Sequence, residues 1–141
     1  MIRQRLGKDL LFFDGGMGTL LQEKGLAPGE LPETWNLTHS EEIYKIHRQY
    51  IEAGSDIILT NTFGANALKF HDDSCSLEEI IKAAVSHVKK AEREALLQTG
   101  DERKIYTALD VGPTGKLLKP MGDLEFETAY CAFREVMEYG E

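Results

Sequence analysis

Long apolar runs are missing from this chain. None approaches the roughly 20 residues that a membrane-spanning helix needs, so no such helix is expected and no membrane partner either. Met1 to Lys8 is polar and lacks the apolar core of a secretory signal, which makes the cytoplasm the expected location. Cysteine is scarce: Cys75 and Cys131 stand far apart without CxxC spacing. That excludes a disulfide framework, and two thiols alone do not make a zinc site. The Asn36-Leu37-Thr38 sequon carries no meaning without secretion. Basic clusters are also absent beyond pairs such as Lys89-Lys90, and the formal net charge is −8. Nucleic acid, whose nonspecific affinity comes from phosphate neutralisation, is excluded as a partner.

Nucleotide signatures are lacking as well. Gly16-Met17-Gly18 is followed by Leu21 where a dinucleotide fingerprint needs glycine. Gly112-Pro113-Thr114-Gly115-Lys116 is too short for a P-loop, and Leu117 stands where a magnesium-binding hydroxyl belongs. No Ser-His-Asp or Cys-His arrangement is legible, and His71-Asp72-Asp73 reads as a solvated loop. There is no linker, low-complexity tract or internal repeat, so the 141 residues read as one unit.

What is present is a set of short apolar runs that stop at polar, glycine-containing turns. Leu10 to Phe13 reads as a buried strand, ending at Asp14 before Gly15, Gly16 and Gly18. Ile57-Ile58-Leu59 reads as a second, running into Thr60-Asn61-Thr62-Phe63-Gly64-Ala65-Asn66. Ile105 to Leu109 reads as a third, ending at Asp110-Val111-Gly112-Pro113-Thr114-Gly115. Carboxylates, hydroxyls and amides at consecutive strand ends are what a ligand site at one end of a parallel sheet requires.

Helical patterns separate these runs. Met17 to Lys24 is expected to form a helix closed by Gly25. A loop from Ala27 to Glu33 then delivers Trp35, read as an aromatic wall of the ligand pocket in an irregular segment. Thr38-His39-Ser40-Glu41 fits a capping box. Behind it Ile43, Ile46, His47, Tyr50 and Ile51 form an apolar stripe with His47 at the core edge, and Gly54 ends the helix. Ser76-Leu77-Glu78-Glu79 is a second capping box, opening the most regular helix, with Leu77, Ile80, Ile81, Ala84, Val85, Val88, Ala91 and Ala95 on one face. A turn at Gly100-Asp101 and a loop from Lys116 to Gly122 follow. Phe126, Ala129, Tyr130, Phe133 and Met137 trace the last stripe, with Cys131 off it. Strands alternating with amphipathic helices predict an α/β fold with a parallel sheet.

Three stretches together closely resemble the homocysteine S-methyltransferase family: Asp14-Gly15-Gly16-Met17-Gly18-Thr19, Ala53-Gly54-Ser55-Asp56 through Thr60 to Asn66, and Asp110 to Gly115. Trp35-Asn36 and His47-Arg48-Gln49-Tyr50 are similar to it too. Within the family the likeness is to the amino-terminal, homocysteine-binding domain of the cobalamin-dependent members. The resemblance implies a (β/α)8 TIM barrel, of which residues 1–141 would supply about three βα units, truncated before the fourth strand. It implies homocysteine as ligand, with Asp14, Gly15 and Gly16 holding its amino-acid end and Thr60, Asn61, Thr62 and Phe63 lining the pocket beside Asp110. It further implies zinc held by three cysteines, methylcobalamin as methyl donor, and folate- and cobalamin-binding modules further along the same polypeptide.

The family's zinc cysteines lie on later strands, in an Asn-Cys turn and a Gly-Gly-Cys-Cys turn, and neither turn occurs here. A barrel needs roughly 250 residues. The expectation is therefore half a substrate pocket, no metal ligands, no catalytic residue, no methyl transfer by this segment alone, and marginal stability for a sheet with open edges. Three alternatives stay open. One is a non-catalytic fragment or binding partner whose edges a second polypeptide completes. Another is a related barrel using S-methylmethionine or betaine, and the last is an unrelated α/β fold in which Asp14 and Asp110 serve a sugar or phosphate. Sequencing the gene past the codon for Glu141 separates them: an open frame with Asn-Cys and Gly-Gly-Cys-Cys turns is expected, and a stop codon would favour the binding partner.

Overall fold

The computed structural model describes residues 2–72, 74–100 and 103–141, so Asp73 of the His71-Asp72-Asp73 group and Asp101 of the expected turn lie outside the described residues. In chain order the elements are α1 (Met17–Glu23), α2 (Trp35–Thr38), α3 (Ser40–Glu52), β1 (Ile57–Leu59), α4 (Leu77–Thr99), β2 (Tyr106–Ala108) and α5 (Phe126–Gly140). Single 3-10 turns occupy Ile2–Gln4 and Pro32–Thr34. β1 and β2 pair in parallel, Ile57 opposite Tyr106 and Leu59 opposite Ala108, with α4 between them in sequence. The fold is α/β, as the alternation of runs and stripes predicts.

The long helix forms where its sequence says it should. Ser76 accepts from the amide of Glu79 at 3.2 Å, and the Glu79 carboxylate accepts from the amide of Ser76 at 2.8 Å, a closed capping box. Gly100 ends the helix at φ +66°, a left-handed conformation that glycine adopts without a Cβ penalty. Its apolar face is fully buried at Ile80, Ile81, Ala84, Val88 and Ala91. Each large aliphatic side chain removed from water contributes about 1.5–3 kcal/mol. Val88, Ala91 and Ala95 pack with Tyr44 and Ile51 of α3, Ile58 of β1 and Ile105 before β2. This layer packs against Ile58 of β1 and the approach to β2.

Several expectations fail here, each for a local reason. Leu10 to Phe13 is not a buried strand: Leu10 is 77%, Phe12 55% and Phe13 58% exposed, and a lone bridge pairs Phe13 with Ile57. The Asp56 side chain takes the amide of Phe12 at 3.0 Å, where a continued ladder would use a main-chain acceptor. The third strand shrinks to Tyr106–Ala108. The capping box at Thr38 does not form, because residues 35–38 are already a helical turn and the Thr38 hydroxyl donates back to the carbonyl of Thr34 at 3.1 Å. Ser40 then starts α3 with His39 as an uncapping neighbour.

The stripe on α5 is turned from its expected position. Ala129, Ala132 and Val136 form its buried face, while Phe126, Tyr130 and Met137 are more than half exposed. Small side chains let α5 lie close against α4, and that closeness decides which face turns inward.

His47 is not at the core edge but fully buried, and neither ring nitrogen has a hydrogen-bond partner among the described residues. Burial, with a smaller contribution from the charge of His87, pushes its pKa down to about 4. The unfolded chain therefore takes up a proton near the ordinary value of 6.5 that the folded chain refuses until about 4. Stability from this residue is complete above pH 6.5 and is lost as pH falls toward 4. His47→Leu should remove that loss: in urea titrations, the variant's stability relative to the parent should rise by about 2–3 kcal/mol between pH 7 and pH 4.5.

Candidate functional site

The carboxyl end of β1 is flanked on both sides by carboxylate-bearing turns. On one side the amide of Asp14 donates to the carbonyl of Ile57 at 3.0 Å, and the amide of Leu59 donates to Asp14 Oδ2 at 3.1 Å. On the other, the amide of Thr60 donates to the carbonyl of Ala108 at 3.0 Å, and that of Asp110 to Thr60 Oγ1 at 3.1 Å. The Thr62 hydroxyl donates to the carbonyl of Asp110 at 2.7 Å. A carbonyl only accepts, so that hydrogen is spent, and the 2.7 Å contact between the hydroxyls of Thr60 and Thr62 must run from Thr60 to Thr62. Both hydroxyl hydrogens are thus committed to the protein.

These turns enclose a cavity of about 300 Å3. Asp14, Gly15, Gly16, Thr60, Asn61, Thr62, Phe63 and Asp110, the eight residues singled out in the sequence, all line it. Pro32 and Glu33 line it too, with Met17, Gly18 and Leu59. No Lys, Arg or His is among the lining residues.

The carboxylates are perturbed. Burial raises the pKa of Asp14 to about 6, against the pull of the amide donors of Leu59 and of Asp14 itself, and nearby Asp110 adds a smaller upward push. Asp14 Oδ1 is buried with no partner among the described residues. Burial also raises Asp110. Tyr50, whose hydroxyl donates to the carbonyl of Gly16 at 3.2 Å, is raised by burial and then by the charge of Asp14.

Close backbone approach explains two glycines. A Cβ on Gly15 would sit 2.8 Å from the Tyr50 hydroxyl. One on Gly112 would sit 2.0 Å from the carbonyl oxygen of Phe63, so the turn after β2 lies directly on the turn after β1. Only glycine allows that contact.

Trp35 does not form a wall of this cavity. It is 3% exposed and packs with Leu21, Leu26, Ile43 and Ile46, its Nε1 donating to Glu30 at 2.7 Å. A large aromatic surface gains more from that apolar cluster than from a wet pocket. Neither cysteine lines the cavity: Cys75 packs beside the Phe70 cluster and Cys131 is exposed on α5. Among the described residues no group of three His, Cys, Asp or Glu side chains is arranged to hold a metal ion.

A family model described as homocysteine S-methyltransferase matches residues 11–140. The chain belongs to that family. It is 30% identical over 138 residues to a methionine synthase of Mycobacterium leprae, a match covering 94% of this chain and 11% of that protein. In fold it is similar to the homocysteine methyltransferase MmuM of Escherichia coli at 21% identity. For the metallated form the TM-score is 0.81, over 98% of this chain and 52% of that one. For the oxidized form it is 0.80, over 99% and 52%. The chain thus spans about one-tenth of that methionine synthase and about half of MmuM.

Sequence reasoning missed Glu33 in this family member. It is 4% exposed and accepts from the amide of Gly64 at 2.5 Å. The Ala27 to Glu33 stretch reads as a polar loop; its one legible signal is Pro32 beside Glu33, a proline opening a helical turn.

The seam between the two turns gives a direct test. Gly112→Ala should destabilise the protein by about 1–3 kcal/mol, by forcing the Phe63 and Asp110 turns apart. Chemical denaturation reads the loss, which Gly18→Ala should not reproduce, since nothing lies within 4 Å of a Cβ there and its φ is not positive.

Proposed function

We propose that this chain is the front portion, residues 1–141, of a homocysteine-binding (β/α)8 barrel in a polypeptide of the methionine synthase type. The observation that carries the reading is the convergence of three consecutive polar turns on one cavity lined by Asp14, Asp110 and Glu33 and, among the described residues, by no cationic side chain. Such a wall suits a ligand bearing an ammonium group. It disfavours a phosphate or sugar phosphate, which three carboxylates repel.

In this reading Asp14 faces the substrate's ammonium. A pKa near 6 leaves it mostly ionised at neutral pH, and a cation placed beside it lowers that value further. The amides of Gly15 and Gly16 stand next to it for the substrate carboxylate, where the absence of a Cβ permits close approach. Thr60, Thr62 and Asp110 act as one hydrogen-bonded unit that holds the pocket wall in place. Phe63, 53% exposed at the rim, provides apolar surface for the aliphatic part of homocysteine.

The family's zinc would make the substrate thiol a thiolate at neutral pH. The described residues of this chain do not fit that ion, since both cysteines lie away from the cavity. Thiol activation therefore belongs to strands beyond these three turns, and this chain's own contribution is to bind and orient. Methyl transfer to give methionine, with methylcobalamin as donor and folate- and cobalamin-binding modules in the same polypeptide, is the whole-protein activity that this reading assigns.

Calorimetric titration with L-homocysteine tests it. Binding is expected for homocysteine and not for inorganic phosphate or glucose 6-phosphate. Asp14→Asn should weaken it by about tenfold or more, the loss of a charge-assisted contact. For the parent protein the affinity should fall as pH drops through about 6, where Asp14 takes up its proton. Phosphate binding with no response to homocysteine would refute the assignment.

A further inference from the structure

In the short segment from Pro32 to Asn36, Glu33 faces the cavity but Asn36 does not line it, yet both side chains are as buried as the core. Glu33 is 4% and Asn36 1% exposed. Their partners lie in the turn after β1. Asn36 Nδ2 donates to the carbonyl of Asn61 at 2.8 Å. Asn61 Nδ2 donates to the carbonyl of Pro32 at 2.8 Å and to Asn36 Oδ1 at 3.3 Å. The amide of Gly64 donates to Glu33. The segment is itself anchored, because His87 Nε2 donates to the carbonyl of Asn36 at 2.7 Å and Trp35 is packed in the core.

The orientation of both side-chain amides follows from this network. An asparagine amide can be turned end for end unless its neighbours decide the matter. Here they do. The carbonyl of Asn61 only accepts, so Asn36 must point its nitrogen there and its oxygen toward Asn61. The carbonyl of Pro32 also only accepts, so Asn61 must point its nitrogen that way. Both hydrogens of Asn61 Nδ2 are then spent, one on Pro32 and one on Asn36. Within that amide only Oδ1 has capacity left, and the residue lines the cavity.

We propose that Asn36 is a positioning residue that, beside the Pro32 carbonyl that orients the Asn61 amide, occupies its second hydrogen, so that the pocket is offered an acceptor and never a donor at this point. With the hydroxyl hydrogens of Thr60 and Thr62 committed as well, the side chains on this wall accept only. The wall thereby selects a ligand by its ammonium hydrogens rather than by its thiol or its length. This rests on the homocysteine reading above and adds to it the origin of amine selectivity, in a residue outside the pocket.

Two measurements test it, one of them without ligand. In the parent protein, NMR should show both Asn61 side-chain amide hydrogens protected from solvent exchange, and Asn36→Ala should release the one that Asn36 Oδ1 accepts while the one on the Pro32 carbonyl stays protected. Unprotected hydrogens in the parent overturn the proposal, whatever the ligand proves to be. In parallel, L-homocysteine is compared with 4-mercaptobutanoate, the same thiol acid without its amine. Asn36→Ala should lower the preference for homocysteine by about tenfold while leaving 4-mercaptobutanoate binding within about twofold. An equal loss for both ligands means a merely structural role and overturns it. Failure of the parent to bind homocysteine, with protection intact, counts against the homocysteine reading and leaves the amide geometry standing. Should Asn36→Ala fail to fold, Asn36→Ser, whose hydroxyl is too short to reach Asn61 Nδ2, takes its place in both measurements with the same outcomes.

Discussion

The amide of Leu59, donating to the Asp14 carboxylate at the last residue of β1, is the contact on which the site depends. It draws the glycine turn onto the strand end and commits one oxygen of Asp14 to the scaffold. Because the other oxygen is buried without a partner among the described residues, the carboxylate is held in a place that disfavours its charge. A ligand cation would relieve that cost. The strain is local, and it is offset by the layer of α3 and α4 side chains that fixes β1 from behind.

The same strand end organises its other flank by hydrogen-bond direction rather than by charge. Thr60, Thr62 and Asp110 form a chain in which each donor has a single available acceptor. Gly112 lets the Asp110 turn rest directly on Phe63. Pro32 to Asn36 closes the remaining side through Asn61 and Gly64. The cavity is thus bounded by three turns and one segment, each tied to β1 or to its turn.

Outside the site the molecule is unevenly covered. Leu10, Phe12 and Phe13 on one flank, and Phe126, Tyr130 and Met137 on α5, are large apolar side chains left more than half exposed. Their spacing in the sequence predicts burial, and nothing among the described residues covers them.

The sequence by itself determined the features governed by neighbours a few residues apart. The capping box at Ser76, the left-handed Gly100, the helical stripe through Ile80 and Val88, and the polar turns after three apolar runs are all short-range, and backbone geometry forces them. Its family motifs likewise named Asp14, Thr60, Asn61, Thr62 and Asp110, which the fold brings to one cavity. Tertiary structure alone decided the rest. Whether Phe13 is covered depends on what lies beside it in space, and so does the face α5 turns to α4. His47 entered the core and Trp35 left the pocket because burial is settled by packing between helices, which no periodicity of one helix encodes. Glu33 and Asn36 reached the site through hydrogen bonds spanning 25 to 31 residues, and a contact of that range has no local signature.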